Sequence, residues 1–247
     1  MGWGKPKVRT YDRNGLKYVS TTQNISIIDK SAPLMGWAAK CTANHVEENF
    51  NDVVRELTIE EEVLLANLLK EAKKSRSQVS KQALQDGSDA HDLFDREAKG
   101  NGPGANELAT FNEAVQTAYT NYLTFMATSG FVNLESEVEV FHDAIHSAGT
   151  CDRICRDPDG RIVLLDWKTS TAIFPEAEMQ AVVYAKSWES MGREPLVIDR
   201  AMVVRTAKNQ KFKWSRDVVE VPREAWDVHW SGYIAAQQLF KWKCIFS

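Results

Sequence analysis

Two spacings of apolar residues alternate along the chain. Apolar residues three and four apart indicate helices, whereas alternating or continuous apolar runs between turn residues indicate strands. Thr58 and Glu61 form a capping box, and Gly130 and Gly192 are typical residues at helix ends. The predicted helices begin near Pro33, at Thr58 and at Ser88 or Asp89, and cover residues 107–129, 175–191 and 222–242. The predicted strands are one or two within residues 1–30, and those over residues 131–142, 200–206 and 211–221.

Residues 149–170, GTCDRICRDPDGRIVLLDWKTS, contain a predicted β-hairpin. The DPDG sequence is typical of a three-residue loop, with Pro at the second position of a type I turn and Gly at the left-handed position. Such a loop pairs Asp157 with Arg161. Counting back along both strands predicts that Asp152 and Asp166 lie directly opposite one another, with Lys168 on the same face.

The two opposed acids need an explanation in terms of charge. Directly opposed Cβ atoms lie roughly 5 Å apart, and like charges at that distance destabilise a sheet unless something offsets them. A divalent cation would do so, because Mg²⁺ is commonly held by one or two carboxylates with water and phosphate oxygens. The alternative is a hairpin end where one acid pairs with Lys168 and the other is solvated. The residues alone leave both interpretations open.

Composition is that of an ordinary globular protein. The chain has 247 residues, 43% hydrophobic and 26% charged, enough to bury a substantial core. No apolar run reaches the roughly 18 residues of a membrane span, and the N-terminus resembles no secretion signal, so we expect a cytoplasmic protein that is not secreted. Four scattered cysteines predict free thiols. The net charge of −4 restricts any DNA contact to a local basic surface.

Further polar residues accompany the hairpin in a fixed order. His91 and Glu135 precede it, and Gln180 and Tyr184 follow it, one helical turn apart. The stretches that carry them read GSDAHDLFD, LESEV, GTCDRI, LLDWKTS and QAVVY. This ordered set resembles the PD-(D/E)XK nuclease superfamily, in particular the RecB-type branch that includes the mitochondrial genome maintenance exonuclease and phage exonucleases. The resemblance covers about residues 87–184.

The resemblance implies an α/β fold with a central mixed β-sheet flanked by α-helices, as in restriction-endonuclease-like cores. It implies one nuclease domain over residues 1–247, with a core over about 87–220, an N-terminal helical region over 30–86 and a C-terminal helix over 222–242. The implied cofactor is Mg²⁺ or Mn²⁺. The C-terminal cysteine cluster of iron–sulfur relatives is missing, with only Cys244 nearby, so we expect no iron–sulfur cluster.

The resemblance also implies a role for each site residue. Asp152 and Asp166 hold the metal, the Trp167 carbonyl is an additional ligand, and His91 completes the shell. A bound metal polarises the scissile phosphate and lowers the pKa of a water. Protonated Lys168 orients that water and stabilises the charge that develops on the phosphate.

Two site assignments stay open at this point. Glu135 is the preferred catalytic acid of the preceding strand, and Glu137, two residues later and therefore on the same face, is the alternative. His91 could instead be a solvent-facing partner of Asp95, one helical turn away.

Candidate DNA-binding residues lie in two places. Gln180 and Tyr184 could contact the DNA strand, brace the catalytic lysine or simply pack in a helix. The segment 205–216, RTAKNQKFKWSR, interleaves cations with aromatic residues, among them Lys211, Lys213 and Trp214. Single-strand binders use this combination, because cations follow phosphates while aromatic rings stack on unpaired bases. A solvated edge hairpin is the alternative.

Together these features predict a metal-dependent deoxyribonuclease, a phosphodiester hydrolase that acts as an exonuclease on free single-stranded ends. DNA is then the substrate, a recombination or replication protein is a compatible partner, and DNA repair or recombination in a bacterial or phage-infected cell is the expected setting. The alternatives are an endonuclease with the same site and a non-catalytic DNA-binding module. The intact Asp152, Asp166 and Lys168 set disfavours the non-catalytic alternative.

Overall fold

The computed structural model describes residues 8–28, 37–46, 48–49, 61–195 and 197–246. These residues form an α/β protein with a seven-stranded mixed sheet flanked by helices, which confirms the predicted fold class. The chain divides into two compact units, one formed by Met1–Ile28 with Asp89–Ser247 and the other by Asp29–Ser88. The smaller unit covers nearly the same residues as the helical region expected over 30–86.

The described residues contain seven strands and eight α-helices. The strands are β1 Thr10–Arg13, β2 Leu16–Ser20, β3 Val132–His142, β4 Ser147–Arg156, β5 Ile162–Lys168, β6 Arg200–Arg205 and β7 Val218–Pro222. The helices are α1 Thr21–Ile25, α2 (residues 37–46 and 48–49), α3 Glu61–Ala98, α4 Ala105–Leu108, α5 Glu113–Ser129, α6 Pro175–Ser190, α7 Trp214–Asp217 and α8 Trp226–Phe246. None of these helices combines the length and the apolar character that a membrane crossing requires.

Strand β4 has three partners in the sheet. The strand order is β1-β2-β4-β5-β6-β7, and β3 pairs with β4 along its length. Strand β2 runs parallel to β4 at Ser147 and Ala148, while β5 runs antiparallel to it from Arg153 to Arg156. Strands β2 and β5 therefore share one edge of β4 and leave a gap between them at residues 149–152.

Helices cover both faces of β5, which explains its continuous apolar run. Leu165 and Trp167 pack in the cluster formed with α3 and α5, whereas Leu164 packs with α6 on the opposite face. Leu164 and Leu165 are both fully buried. A strand covered on both faces is continuously hydrophobic rather than alternating. The same strand carries Asp166 into a buried position.

Several predicted boundaries are confirmed. Helix α6 begins at Pro175, and Gly192, which follows it, has a φ of 63°. Gly130 ends α5 with a φ of 67°, in the left-handed conformation that glycine adopts at helix ends. Strands β3 and β6 match the strands predicted over residues 131–142 and 200–206.

The predicted break between two helices before Ser88 is wrong. A single 38-residue helix, α3, runs through this position and includes Gly87. Glycine inside a helix costs about 1 kcal/mol relative to alanine, which is too little to end a helix that is supported elsewhere. Thr58 and Pro33, the predicted starts of two helices, lie outside the described residues, although residues 37–46 are helical.

Three further predicted boundaries are wrong. The helix expected over residues 107–129 is divided into α4 and α5, because the Asn112 side chain accepts the Val115 N–H and caps a new helix. Only the end of the strand expected over residues 211–221 is extended, since α7 precedes β7. Pro222 ends β7, and α8 begins at Trp226 rather than at Pro222.

Candidate metal centre and active site

The candidate site lies where β4 and β5 separate. Their pairing ends at Arg153 and Leu165, although both strands continue beyond it. Past this point the Trp167 N–H donates to Asp152 Oδ2 at 2.7 Å, so a side chain takes the place of a backbone acceptor. Side chains can therefore converge between the two separating strands.

The turn at the far end of the hairpin sets the predicted register. Gly160 has a φ of 84°, and the Asp157 N–H donates to the Arg161 carbonyl at 2.9 Å. The pairs observed between β4 and β5 continue this register. The predicted pair of Ile154 with Leu164 is confirmed, whereas the pairing ends one step before Asp152 and Asp166, so their direct opposition stays a prediction.

His91 of α3, Glu137 of β3 and Asp152 of β4 form one group. His91 Nδ1 lies 3.5 Å from Asp152 Oδ1 and 4.0 Å from Glu137 Oε1. One ligand atom from each of the three residues lies within 4.8 Å of the other two, a spacing that one metal ion could share. His91 is therefore not the solvent-facing partner of Asp95, which instead binds residues of α3 and β3.

The glutamate of this group is Glu137, not Glu135. Glu137 has a φ of 51°, a left-handed conformation within a strand. This conformation interrupts the alternation of side chains, because Ser136 donates to Asp95 of α3 at 2.6 Å while the adjacent Glu137 lies near His91 of the same helix. Strand periodicity could not separate the two glutamates, and the structure favours the alternative over the preferred Glu135.

Lys168, Asp166, Gln180 and Tyr184 form a chain of polar contacts beside the group. Lys168 Nζ lies 2.5 Å from Asp166 Oδ2 and donates to Gln180 Oε1 at 3.2 Å. The Gln180 amide donates to the Tyr184 hydroxyl at 2.9 Å. Of the three roles left open for Gln180 and Tyr184, these contacts match the bracing of Lys168.

Asp166 is a buried acid whose close cation is Lys168. Its side chain is 1% exposed, and neither carboxylate oxygen has an aligned hydrogen-bond partner among the described residues. Burying a charged group without hydrogen bonds is costly, so the ion pair with Lys168 leaves it incompletely satisfied. The two carboxylates and one imidazole of the neighbouring group suit Mg²⁺ or Mn²⁺, which prefer oxygen ligands. The residues therefore fit the cofactor that the resemblance implies.

Burial and repulsion between acids shift the pKa values of the site. Burial, with a contribution from Asp152, raises the pKa of Glu137 to about 7. Burial also raises the pKa of Asp166 to about 6, with Asp152 adding to the effect and Lys168 opposing it. Burial acts in the same direction on Asp152, but His91 and Lys168 outweigh it and lower that pKa. Burial opposes the charge of Lys168, yet Asp166 and Asp152 raise its pKa and keep it protonated.

Trp167 supports the site from behind. Its buried ring lies 5.9 Å from Phe94, 5.2 Å from Tyr122 and 5.4 Å from Phe125, measured between ring centroids. These edge-to-face contacts fix the position of the backbone N–H that holds Asp152. The role of the Trp167 carbonyl as a metal ligand stays a prediction.

The predicted DNA-binding residues Lys211, Lys213 and Trp214 lie between β6 and β7 and are exposed. The Trp214 ring packs against Phe125 with centroids 5.0 Å apart and remains 40% exposed. An aromatic side chain and two lysines are therefore accessible on one short segment. Their binding of DNA stays a prediction.

Two cations of the same basic segment are used inside the fold. Arg205 and Arg216 both donate to the carboxylate of Asp217, which is fully buried. Fewer cations of this segment are therefore available to bind phosphates than the sequence suggested. The pattern of charges could not reveal this, because nothing in the sequence indicates that Asp217, directly after the segment, is buried between the two arginines.

Two residues that shape the site were missed in the sequence. Arg153 is buried and donates to the Phe94 carbonyl at 2.8 Å and to the Tyr122 hydroxyl at 3.2 Å, which joins β4 to α3 and α5. A Cβ at Gly149 would lie 2.8 Å from the Tyr184 hydroxyl, so only glycine leaves room for that ring. No pattern marks Arg153, whereas the glycine of GTCDRI was a signal for Gly149.

Comparison with models of known protein families found no match, and comparison with curated proteins found none either.

Proposed function

We propose that this chain is a metal-dependent deoxyribonuclease of the PD-(D/E)XK superfamily, which hydrolyses DNA phosphodiester bonds from free single-stranded ends. The observation that carries the proposal is the group of His91, Glu137 and Asp152, which lies near the ion pair of Asp166 with Lys168 where two strands separate. Acids held close together repel one another and weaken a fold unless a ligand offsets their charge. Strongly shifted pKa values within such a group are typical of functional sites.

The acids and the histidine are suited to hold the metal. Asp152, Asp166 and Glu137 supply carboxylate oxygens, and His91 supplies a ring nitrogen, which binds a metal in its neutral form. When bound, Mg²⁺ or Mn²⁺ polarises the scissile phosphate and lowers the pKa of a bound water. Asp152 is already oriented for this role, because the Trp167 N–H fixes its Oδ2.

Lys168 is held in place as a cation. Asp166 and Gln180 contact its ammonium group, which carries three hydrogens and so retains donor capacity for a phosphate oxygen. Tyr184 accepts the Gln180 amide hydrogen and thereby directs the Gln180 oxygen toward Lys168. A fixed cation stabilises negative charge as it develops on the phosphate without having to reorganise.

The exposed segment between β6 and β7 supports a single-stranded substrate. Lys211 and Lys213 offer positive charge to phosphates, and Trp214 offers an exposed aromatic face on which an unpaired base can stack. A paired base is less accessible to such stacking, which favours unpaired ends over duplex DNA.

Digestion of end-labelled linear single-stranded DNA in Mg²⁺, Mn²⁺ or EDTA tests the proposal. We expect cleavage with either metal and none in EDTA. Lys168→Ala should abolish most of the activity, whereas Lys241→Ala, an exposed position on α8, should retain it. Lack of metal-dependent cleavage, or cleavage unaffected by Lys168→Ala, would contradict the proposal. A covalently closed single-stranded circle should resist digestion, and its cleavage would indicate an endonuclease.

A further inference from the structure

The hairpin of β1 and β2 carries a cation on each of its two faces. Tyr11 pairs with Tyr18 in the register, and Asp12 pairs with Lys17. Because side chains alternate along a strand, Arg9 lies on the same face as Tyr11, whereas Lys17 lies on the other face. The hairpin therefore presents two cations of equal charge in two different directions.

Arg9 is an exposed cation with a defined orientation. Its Nη2 donates to the Tyr11 hydroxyl at 3.1 Å, and its guanidinium lies 5.4 Å from the centre of the Tyr11 ring. No carboxylate among the described residues pairs with Arg9. Arg13, two residues beyond Tyr11, is 3.6 Å from Asp143 and is therefore partly neutralised. Of the two arginines, Arg9 keeps its charge available for a ligand.

Tyr11 connects Arg9 to the strand that carries the candidate site. The Tyr11 hydroxyl lies 3.4 Å from Thr150 Oγ1, in the gap that β2 and β5 leave along β4. The preceding residue, Gly149, lies directly against the Tyr184 ring. Tyr184 in turn binds Gln180, which contacts the catalytic lysine. A continuous set of contacts thus joins Arg9 to the site.

The site has more acidic than basic side chains, so an additional cation would favour the binding of a phosphate. The three acids Glu137, Asp152 and Asp166 outnumber the nearby basic side chains, Lys168 and His91, so a further cation favours the binding of a phosphodiester before any metal is bound. An arginine presents several N–H donors in a planar array that matches phosphate oxygens. Through Tyr11, Arg9 lies beside the gap in β4, where it can contact a backbone phosphate of a strand that extends beyond the site.

We infer that Arg9, held by Tyr11, binds a backbone phosphate of a single-stranded nucleic acid that occupies the candidate site. The inference rests on the proposed function and adds a binding residue that lies outside the metal group. Tyr11 acts as a positioning residue, because its ring and hydroxyl both contact the guanidinium and limit the directions it can take.

Binding of a fluorescent single-stranded DNA oligonucleotide, measured by anisotropy in EDTA over a range of salt concentrations, tests the inference. Each phosphate contact to a single strand contributes about 0.7 to the slope of log affinity against log salt concentration. Arg9→Gln should reduce the slope by about that amount and weaken binding severalfold. Lys17→Gln removes the same charge from the other face of the hairpin and should leave the slope unchanged. Arg9→Lys should restore the slope, because it restores the charge.

The possible outcomes separate this inference from the proposed function. Equal slopes for the wild type and Arg9→Gln, or equal losses in Arg9→Gln and Lys17→Gln, would overturn the inference while metal-dependent cleavage by the wild type persists. A wild type that neither binds nor cleaves the oligonucleotide would overturn the proposed function and this inference with it. Equal midpoints of thermal unfolding for the wild type and the three variants show that differences in binding do not come from differences in stability.

Discussion

Glu137 lies in the left-handed region of backbone conformation inside an otherwise extended strand. A residue other than glycine in such a region costs of order 1–3 kcal/mol and persists only where its surroundings hold it. Contacts of Ser136 with Asp95 and of Glu137 with His91 hold this part of β3 against α3. The conformation therefore brings the Glu137 carboxylate to His91 and Asp152 at the expense of regular strand geometry.

Replacement of this glutamate tests its role. Glu137→Gln should lower kcat/KM for metal-dependent DNA cleavage by at least about 10–100-fold, because loss of a metal ligand costs no less than loss of a residue that only supports one. Glu135→Gln changes the same residue type two positions earlier, outside the group, and should stay within about twofold of the wild type. The measurement is initial cleavage rate at limiting substrate. A larger loss in Glu135→Gln than in Glu137→Gln would restore Glu135 as the catalytic acid.

Raised carboxyl pKa values predict a pH dependence of stability without metal. The pKa of Glu137 is about 7 in the fold against an ordinary 4.5, and that of Asp166 is about 6 against 3.8. The folded state therefore binds these protons more tightly than the unfolded state. The stabilisation is fully present below the ordinary values and is lost as the pH rises through the folded values.

In EDTA, the free energy of unfolding should consequently fall between about pH 4 and pH 8. Glu137→Gln cannot titrate at this position, so it should flatten the decline, and Glu135→Gln should leave it unchanged. Urea unfolding at a series of pH values measures this. A decline of equal steepness in Glu137→Gln would show that other groups cause it.

At the scale of elements, β4 and α6 approach each other closely at one glycine. Gly149→Ala places a Cβ against the Tyr184 ring, so it should destabilise the fold by about 1–3 kcal/mol and slow cleavage by displacing Tyr184 from Gln180. Gly104→Ala is the control, since a Cβ there meets nothing within 4 Å. Unfolding by urea and cleavage rates distinguish the two variants. Equal behaviour of both would show that Tyr184 is not confined by β4.

The buried ion pair between β6 and α7 provides a second prediction at this scale. Asp217→Ala leaves Arg205 buried without its acid and should destabilise the protein by about 3–5 kcal/mol. Asp227→Ala removes an acid whose side chain is 95% exposed and 3.6 Å from Lys186, and should cause no measurable change. Urea unfolding measures both. A small effect of Asp217→Ala would mean that Arg205 reaches solvent.

The sequence specified some elements well because their signals are local. The DPDG turn determined the register of β4 and β5, and Pro175 with Gly192 marked the ends of α6. Other boundaries depended on distant contacts. Helix α3 continues through Gly87. The segment before β7 forms α7, where the buried Asp217 accepts hydrogen bonds from Arg205 and Arg216. Such tertiary effects override local propensity.

At the scale of the whole molecule, the candidate site draws on α3, β3, β4, β5 and α6. Sequence order and one local turn were sufficient to predict Asp152, Asp166 and Lys168 together. The choice between Glu135 and Glu137 was beyond sequence reasoning, because it depends on a single backbone angle. The sheet explains the convergence, since β2 and β5 share an edge of β4 and leave a gap for side chains.

The central claim is that the buried Asp166 serves metal-dependent hydrolysis of DNA. The most direct test is the rate of cleavage of linear single-stranded DNA in Mg²⁺ by Asp166→Asn, with Asp159→Asn, an exposed acid of the hairpin turn, as the matched control. We predict that the rate of Asp166→Asn falls more than about a hundredfold, which exceeds the loss expected for a residue that only supports a metal ligand. Asp159→Asn should cleave like the wild type. A wild-type rate in Asp166→Asn would contradict the account.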